Sequence, residues 1–191
     1  MAGALVQVGA PLELFRVMHA SRLDEARFDF PGYVRNTLVA SRTFGGRFNP
    51  PGEFGALYTA MDEDTAWTEV ASRFRREGIE GLPPDMGVLR ISVLAGSYAD
   101  LTSDAAARAW TITREQLTAD DPTAVQRTAC WTLGRAVRAV ADALLGPSAR
   151  TDGANMPLFP DRARSTLEID LRAARARAVP KRFQQRAREE W

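Results

Sequence analysis

The chain predicts an α+β fold: a split, mostly antiparallel sheet with helices packed beside it. Three observations carry this expectation. Strand-like and helix-like segments succeed one another without a regular βαβ rhythm. Three strand candidates follow the longest helix in a row. Neither GxGxxG nor GxxxxGK(S/T) occurs, so the phosphate loops of dinucleotide folds and P-loop enzymes are missing. The 191 residues fit one domain over 1–191, with a core at about 12–172 and a charged tail over 173–191.

The elements follow in order. Leu12–Met18 (LELFRVM) alternates as a strand, with Leu14, Arg16 and Met18 on one side and Phe15 and Val17 on the other. Residues 21–41 (SRLDEARFDFPGYVRNTLVAS) read as irregular and polar, broken at Pro31 and Gly32. Gly55–Met61 (GALYTAM) reads as a short strand between turn residues. Asp62 is placed to cap the helix EDTAWTEVASRFRR, whose acidic first turn and basic last turn both suit the helix dipole. Its apolar side takes Ala66, Trp67, Val70 and Phe74. After Pro83-Pro84, Met86–Leu94 is a β-rich run, and DAAARAWTI predicts a short helix. Asp121 and Pro122 signal the start of a long helix with the stripe Val125, Ala129, Leu133, Val137 and Val140. ADALLGPSAR, NMPLFP and TLEIDL supply the last strands, and the tail from Ala174 is a helix or a loose end.

Composition removes several function classes. With 25 basic and 24 acidic residues the net charge is +1, so no broad field draws the chain to nucleic acid or a membrane surface. No basic helix-turn-helix is visible either. A chain of this length buries roughly 70% of its unfolded surface, enough to fold without a disulfide or a metal. Cys130 stands alone, and with His19 as the single histidine no zinc-binding spacing exists. The start MAGALVQVGAPLELF is interrupted by Pro11 and Glu13 and lacks the basic residues of a signal peptide. No run approaches the length of a membrane span, so a cytoplasmic protein is expected.

Four residues carry the chemistry of interest. Gly45-Gly46 permits a turn with positive φ, and Pro50-Pro51 stiffens its exit. Arg47, held between them, is either a bidentate clamp for phosphate oxygens or a surface arginine beside a loop. Tyr58 is either core with a satisfied hydroxyl or an aromatic platform for a ligand. Glu69 is either a solvated edge residue or a functional carboxylate bordering the apolar face. Ser148, after Gly146-Pro147, has the position of a turn former and lacks any GxSxG context. Cys130 reads as a small buried hydrophobe rather than a nucleophile.

Taken together, GGRFNPPG (45–52), ALYTAMDEDTAWTEV (56–70) and GPSAR (146–150) resemble the signature blocks of the RES-domain family, in the expected order. FRV near the start and NMPLFPDR later strengthen the resemblance, which covers about residues 12–172. The family takes its name from an arginine, a glutamate and a serine; these fall on Arg47, Glu69 and Ser148, with the family's tyrosine on Tyr58 and its early strand arginine on Arg16. Two departures stand out: Phe48 occupies a position where the family often has tryptophan, and residues 84–126 match no part of the pattern.

The resemblance implies a fold related to ADP-ribosyltransferase toxins, and a toxin of a toxin–antitoxin pair that destroys NAD⁺ without metal or cofactor. It implies silencing by an Xre-type helix-turn-helix antitoxin, in a complex where the toxin can itself be dimeric. In that reading Arg47 holds a phosphate, Tyr58 walls the nicotinamide, Glu69 stabilises the cation formed as the bond breaks, and Ser148 and Arg16 orient the substrate. The acceptor stays open between water, phosphate and a macromolecule. Related protein-modifying enzymes often carry Gln or Glu two residues before the catalytic glutamate. Here Trp67 stands there, which favours NAD⁺ breakdown over protein modification. A non-enzymatic interaction module on the same fold is the other alternative.

Overall fold

The computed structural model describes residues 3–119 and 122–184. The chain opens with β1 (Leu5–Gln7) and β2 (Leu12–His19), then α1 (Ala20–Phe28), α2 (Phe30–Phe44) and α3 (Glu63–Arg76). Next come β3 (Met86–Ala95), β4 (Ser97–Asp100), α4 (Asp104–Ala109), α5 (Arg114–Thr118) and α6 (Ala124–Val140). β5 (Ala143–Pro147), β6 (Ala154–Asn155), β7 (Glu168–Ala176) and a 3₁₀ turn (Lys181–Phe183) complete it.

The expected α+β architecture with a split sheet is present. One sheet has the order β2-β3-β7 and is wholly antiparallel; the other has the order β1-β4-β5-β6, with β4 and β5 parallel. A parallel pair needs a long crossover, and α4, α5 and α6 supply it. Gly55–Met61, expected as a strand, forms no ladder. It is an extended rib that touches both sheets through single bridges: Ala60 to Phe15 of β2 and to Asn155 of β6, and Leu57 to Leu158. Residues 154–158 run antiparallel beside it, with Leu57 N donating to Leu158 O, Met156 N to Thr59 O and Met61 N to Ala154 O, while Phe15 of β2 meets it from the other side.

Three apolar clusters hold these layers. Leu14, Leu23, Tyr33, Leu89 and Ile91 pack α1 and α2 onto the three-stranded sheet. Val17, Ala66, Trp67, Met86 and Val88 pack α3 against its other face. Phe48, Trp110, Leu133, Val137 and Phe159 join α4–α6 to the second sheet. At the seam between β4 and β5, the Asp142 carboxylate has no exposed surface. It accepts from Ser97 N (2.9 Å), Arg162 Nε (3.0 Å), Ser165 Oγ (2.8 Å) and Thr166 Oγ1 (3.0 Å). Among the described residues, no helix is long and apolar enough to cross a membrane.

Several expectations need correction. Residues 21–41 are not irregular: α1 and α2 occupy them, and Asp29 caps α2 by accepting from Gly32 N at 2.9 Å. Pro31 lies in the first turn of α2, where its missing N–H breaks no helical bond. The N-cap of α6 is Thr123, in a capping box with Gln126; Asp121 lies outside the described residues. The buried stripe of α6 is Cys130, Leu133, Gly134 and Val137, whereas Val125 is 75% exposed and Val140 42% exposed. The middle of the expected stripe, Leu133 and Val137 with Ala129 beside them, does face the cluster around Phe48 and Trp110, and only its two ends lie outside that cluster. The folded part also runs past residue 172: β7 continues to Ala176, and Val179 is buried in the cluster under α3.

Candidate active site

The site is assembled by α3 and the loop that follows β5. Asp62 caps α3, accepting from Thr65 N at 2.7 Å and from Thr65 Oγ1 at 2.8 Å. Thr65 and Glu69, four residues apart, lie on one face of the helix. Trp67 lies on another, buried under α3 with its indole Nε1 donating to Glu63 Oε1 at 3.2 Å.

The loop from Ser148 to Gly153 is fastened onto the Thr65 face. Ser148 N donates to Gly153 O at 2.9 Å, and the Thr65 and Thr151 hydroxyls meet at 2.9 Å. Gly153 permits this contact, since a Cβ there would stand 2.1 Å from Thr65 Oγ1 and 2.6 Å from Asp62 Oδ2.

One turn further along α3, the same loop and β6 surround Glu69. Oε1 accepts from Ser148 Oγ at 2.8 Å and from Asn155 Nδ2 at 2.7 Å. Oε2 accepts from Arg150 Nη1 at 2.8 Å. Ser148 Oγ in turn accepts from Arg150 N at 3.1 Å, so its position is set from both sides. The Glu69 side chain is 27% exposed and that of Arg150 7% exposed. The carboxylate is thus oriented by three donors, two on one oxygen and one on the other, and still reaches solvent. A carboxylate so fixed needs little reorganisation to act on a cation placed beside it.

Arg47 leaves α2 on the expected turn, with Gly45 at φ +70°. Its guanidinium reaches across to the end of α5, where Nη1 donates to Leu117 O and Nη2 to Ala119 O, the latter at 2.9 Å. The carbonyls therefore occupy part of its five-donor fork. The stretch 84–126, in which the sequence showed no signature block, thus furnishes one wall around Arg47. Burial lowers the Arg47 guanidinium below its ordinary range; Cys130 and Glu69 oppose this, and the positive charge of Arg150 adds to it. Arg47, Glu69 and Arg150 therefore lie within electrostatic reach of one another.

Tyr58 is built into the Arg47 turn. Its hydroxyl donates to Asn49 Oδ1 at 2.8 Å and accepts from Phe48 N at 2.9 Å. Burial raises the phenol above its ordinary value, against the Phe48 N–H and the nearby charge of Arg47. Trp131 Nε1 holds the same turn through Gly46 O at 2.9 Å. Arg16 Nη1 donates to Tyr58 O at 2.6 Å, so Arg16 supports the rib behind the site. Cys130 is buried, and burial pushes its thiol up.

Of the five residues expected at the site, Glu69 and Ser148 are in direct contact. Arg47 acts on Glu69 through charge, Tyr58 braces the Arg47 turn, and Arg16 joins through the Tyr58 backbone. Arg150 and Asn155 were not singled out from the sequence, although each lies inside a quoted block: Arg150 ends GPSAR and Asn155 begins NMPLFP. A groove of about 650 Å³ beside α6, lined by residues including Trp110, Val125, Thr128 and Leu133, takes none of these residues into its wall.

A family model described as the RES domain matches residues 13–181. The chain belongs to the RES-domain family. Among solved structures, the crystal structure of the M. tuberculosis MbcT–MbcA toxin–antitoxin complex is similar. The match has a TM-score of 0.67 at 21% identity, covering 88% of this chain and 85% of that one. At that identity the likeness is one of fold. No curated protein sequence matches the chain.

Proposed function

We propose that this protein is the toxin of a toxin–antitoxin pair and that it breaks the nicotinamide–ribose bond of NAD⁺. The observation that carries this reading is Glu69, a partly exposed carboxylate held by Ser148, Asn155 and Arg150. Membership of the RES family and the fold shared with a structure of a toxin–antitoxin complex support it.

In this reading the C1′–N bond lengthens and its electron pair leaves with the nicotinamide nitrogen. The base departs neutral and needs no general acid. Positive charge develops on the ribose as an oxocarbenium-like state, as in glycoside hydrolysis. Glu69 stabilises that charge. Ser148 and Asn155 keep Oε1 in place. Tyr58 fixes the Arg47 turn, and Arg47 contributes positive charge beside the substrate's phosphates. Water then adds to C1′ and gives up a proton, yielding ADP-ribose, or inorganic phosphate adds instead. No metal or flavin enters the scheme.

Trp67 supports small-molecule cleavage over protein modification. It is 2% exposed and packed under α3, so the position two residues before Glu69 offers nothing to an incoming side chain. An antitoxin of the Xre type would silence the enzyme by covering Glu69 and Arg47. The test is to incubate the purified, antitoxin-free protein with NAD⁺, with and without phosphate, and identify the products. Release of nicotinamide is expected, unaffected by EDTA. A folded protein that leaves NAD⁺ intact under both conditions overturns the reading.

A further inference from the structure

α6 carries a glycine in its interior, where glycine weakens a helix relative to alanine. Gly134 has no positive φ, so its backbone conformation does not call for glycine. Its neighbour does: a Cβ on Gly134 would stand 1.7 Å from Phe48 O and 2.7 Å from Phe48 C. Helix and turn are thus in backbone contact one residue after Arg47. One residue before Arg47, Trp131 Nε1 donates to Gly46 O at 2.9 Å. Further along the turn, Arg135 Nε lies 2.8 Å from Glu53 Oε2. Positions 131, 134 and 135 share one face of a helix, and that face is given over to the turn.

The same helix also holds the surface on which Arg47 lands. Carbonyls at the end of a helix have no partner inside it. At the end of α5, Gln116 O accepts from Cys130 Sγ of α6 at 3.4 Å, and Leu117 O and Ala119 O accept from Arg47. α6 therefore fixes both ends of the span, the turn that Arg47 leaves and the carbonyls that it reaches.

We infer that Trp131 and Gly134 are positioning residues that set where the Arg47 guanidinium stands. They act through Arg47: the peptide groups on either side of it cannot shift without losing the Trp131 bond or opening the contact at Gly134. The consequence for NAD⁺ rests on the cleavage reading, in which Arg47 lies beside the substrate's phosphates. The positioning itself is a property of the folded chain.

Trp131→Phe removes the N–H donor and keeps an aromatic ring. The KM for NAD⁺ should rise about three- to tenfold, the scale of one net hydrogen bond, with kcat unchanged. In an Arg47→Ala background the same substitution should add nothing, because the residue it positions is gone. Gly134→Ala should raise KM at least as much as Trp131→Phe. An equal further rise in the Arg47→Ala background, or a fall in kcat at constant KM, would make Trp131 a general brace and overturn the inference. A second readout needs no turnover. Solvent exchange of the Arg47 guanidinium protons, assigned in NMR spectra by their loss in Arg47→Ala, should speed up about three- to tenfold in Trp131→Phe. Unchanged exchange there overturns the inference, even if Gly134→Ala fails to fold. If the native protein leaves NAD⁺ intact, the cleavage reading falls and proton exchange alone decides the positioning.

Discussion

Ser148 Oγ donates to Glu69 Oε1 across 2.8 Å, although the two residues are 79 positions apart in the chain. Two of the family's three named residues are thus one structural unit: the serine's proton is committed to the glutamate. In the proposed reaction this gives Ser148 the role of orienting the Glu69 carboxylate rather than the substrate.

Glu69→Gln keeps size and packing and removes the charge. Turnover should fall by roughly 100-fold or more, the usual loss for one preorganised electrostatic group. NAD⁺ affinity should not fall, because the ground-state ribose carries little of the developing charge. Turnover, NAD⁺ binding and melting temperature are measured on the same protein. Near-normal turnover, or equal losses in turnover and binding, would return Glu69 to a structural role.

Arg47→Lys keeps the charge but loses the fork that spans Leu117 O and Ala119 O. The apparent KM for NAD⁺ should rise by about tenfold, and Arg47→Ala should raise it further. An unchanged KM in both variants would mean that Arg47 serves only to hold the end of α5.

Gly153→Ala tests the docking of the loop onto α3. A Cβ 2.1 Å from Thr65 Oγ1 forces the two apart. Ser148, Arg150 and Asn155 would then shift relative to Glu69, and a displacement of about 1 Å costs on the order of 100-fold in rate. Thr65→Ala in the same protein removes the obstructing hydroxyl and should restore part of the activity. Wild-type turnover in Gly153→Ala alone would show that the loop's seat on α3 does not set the site.

Asp142 governs acid stability. Burial pushes its pKa up, but the bonds from Ser165, Ser97, Arg162 and Thr166 outweigh this and leave it at about 2, below the ordinary 3.8. The folded state therefore binds its proton less readily than the unfolded chain. The resulting stabilisation, about 2 kcal/mol, is present above pH 4 and lost as pH falls towards 2. Asp142→Asn should cost about 3 kcal/mol at neutral pH, because it leaves Arg162 without its buried carboxylate. It should also flatten the acid limb of the stability curve. Urea melts from pH 2 to pH 7 check both, and an unchanged acid limb would show that Asp142 is not the titrating group.

The local grammar of the chain was readable from residues alone. Asp62 caps α3, alternation marks β2, a β-rich run marks β3, and Gly45 takes a positive φ, because each depends on residues within a few positions. The blocks around Arg47, Glu69 and Ser148 were legible for the same reason: each is a contiguous stretch. Misreadings arose where a local signal was ambiguous. Pro31 marks either a break or a first helical turn, and only the cap from Asp29 decides which. Tertiary structure alone decided the partners. Arg150 and Asn155 meet Glu69 over 81 and 86 residues, and Arg47 finds the α5 carbonyls over 70 and 72. Such contacts depend on how the two sheets and the α4–α6 crossover fold back on each other. No spacing within the chain encodes that path, so residue types suggested the chemistry while packing selected which side chains perform it.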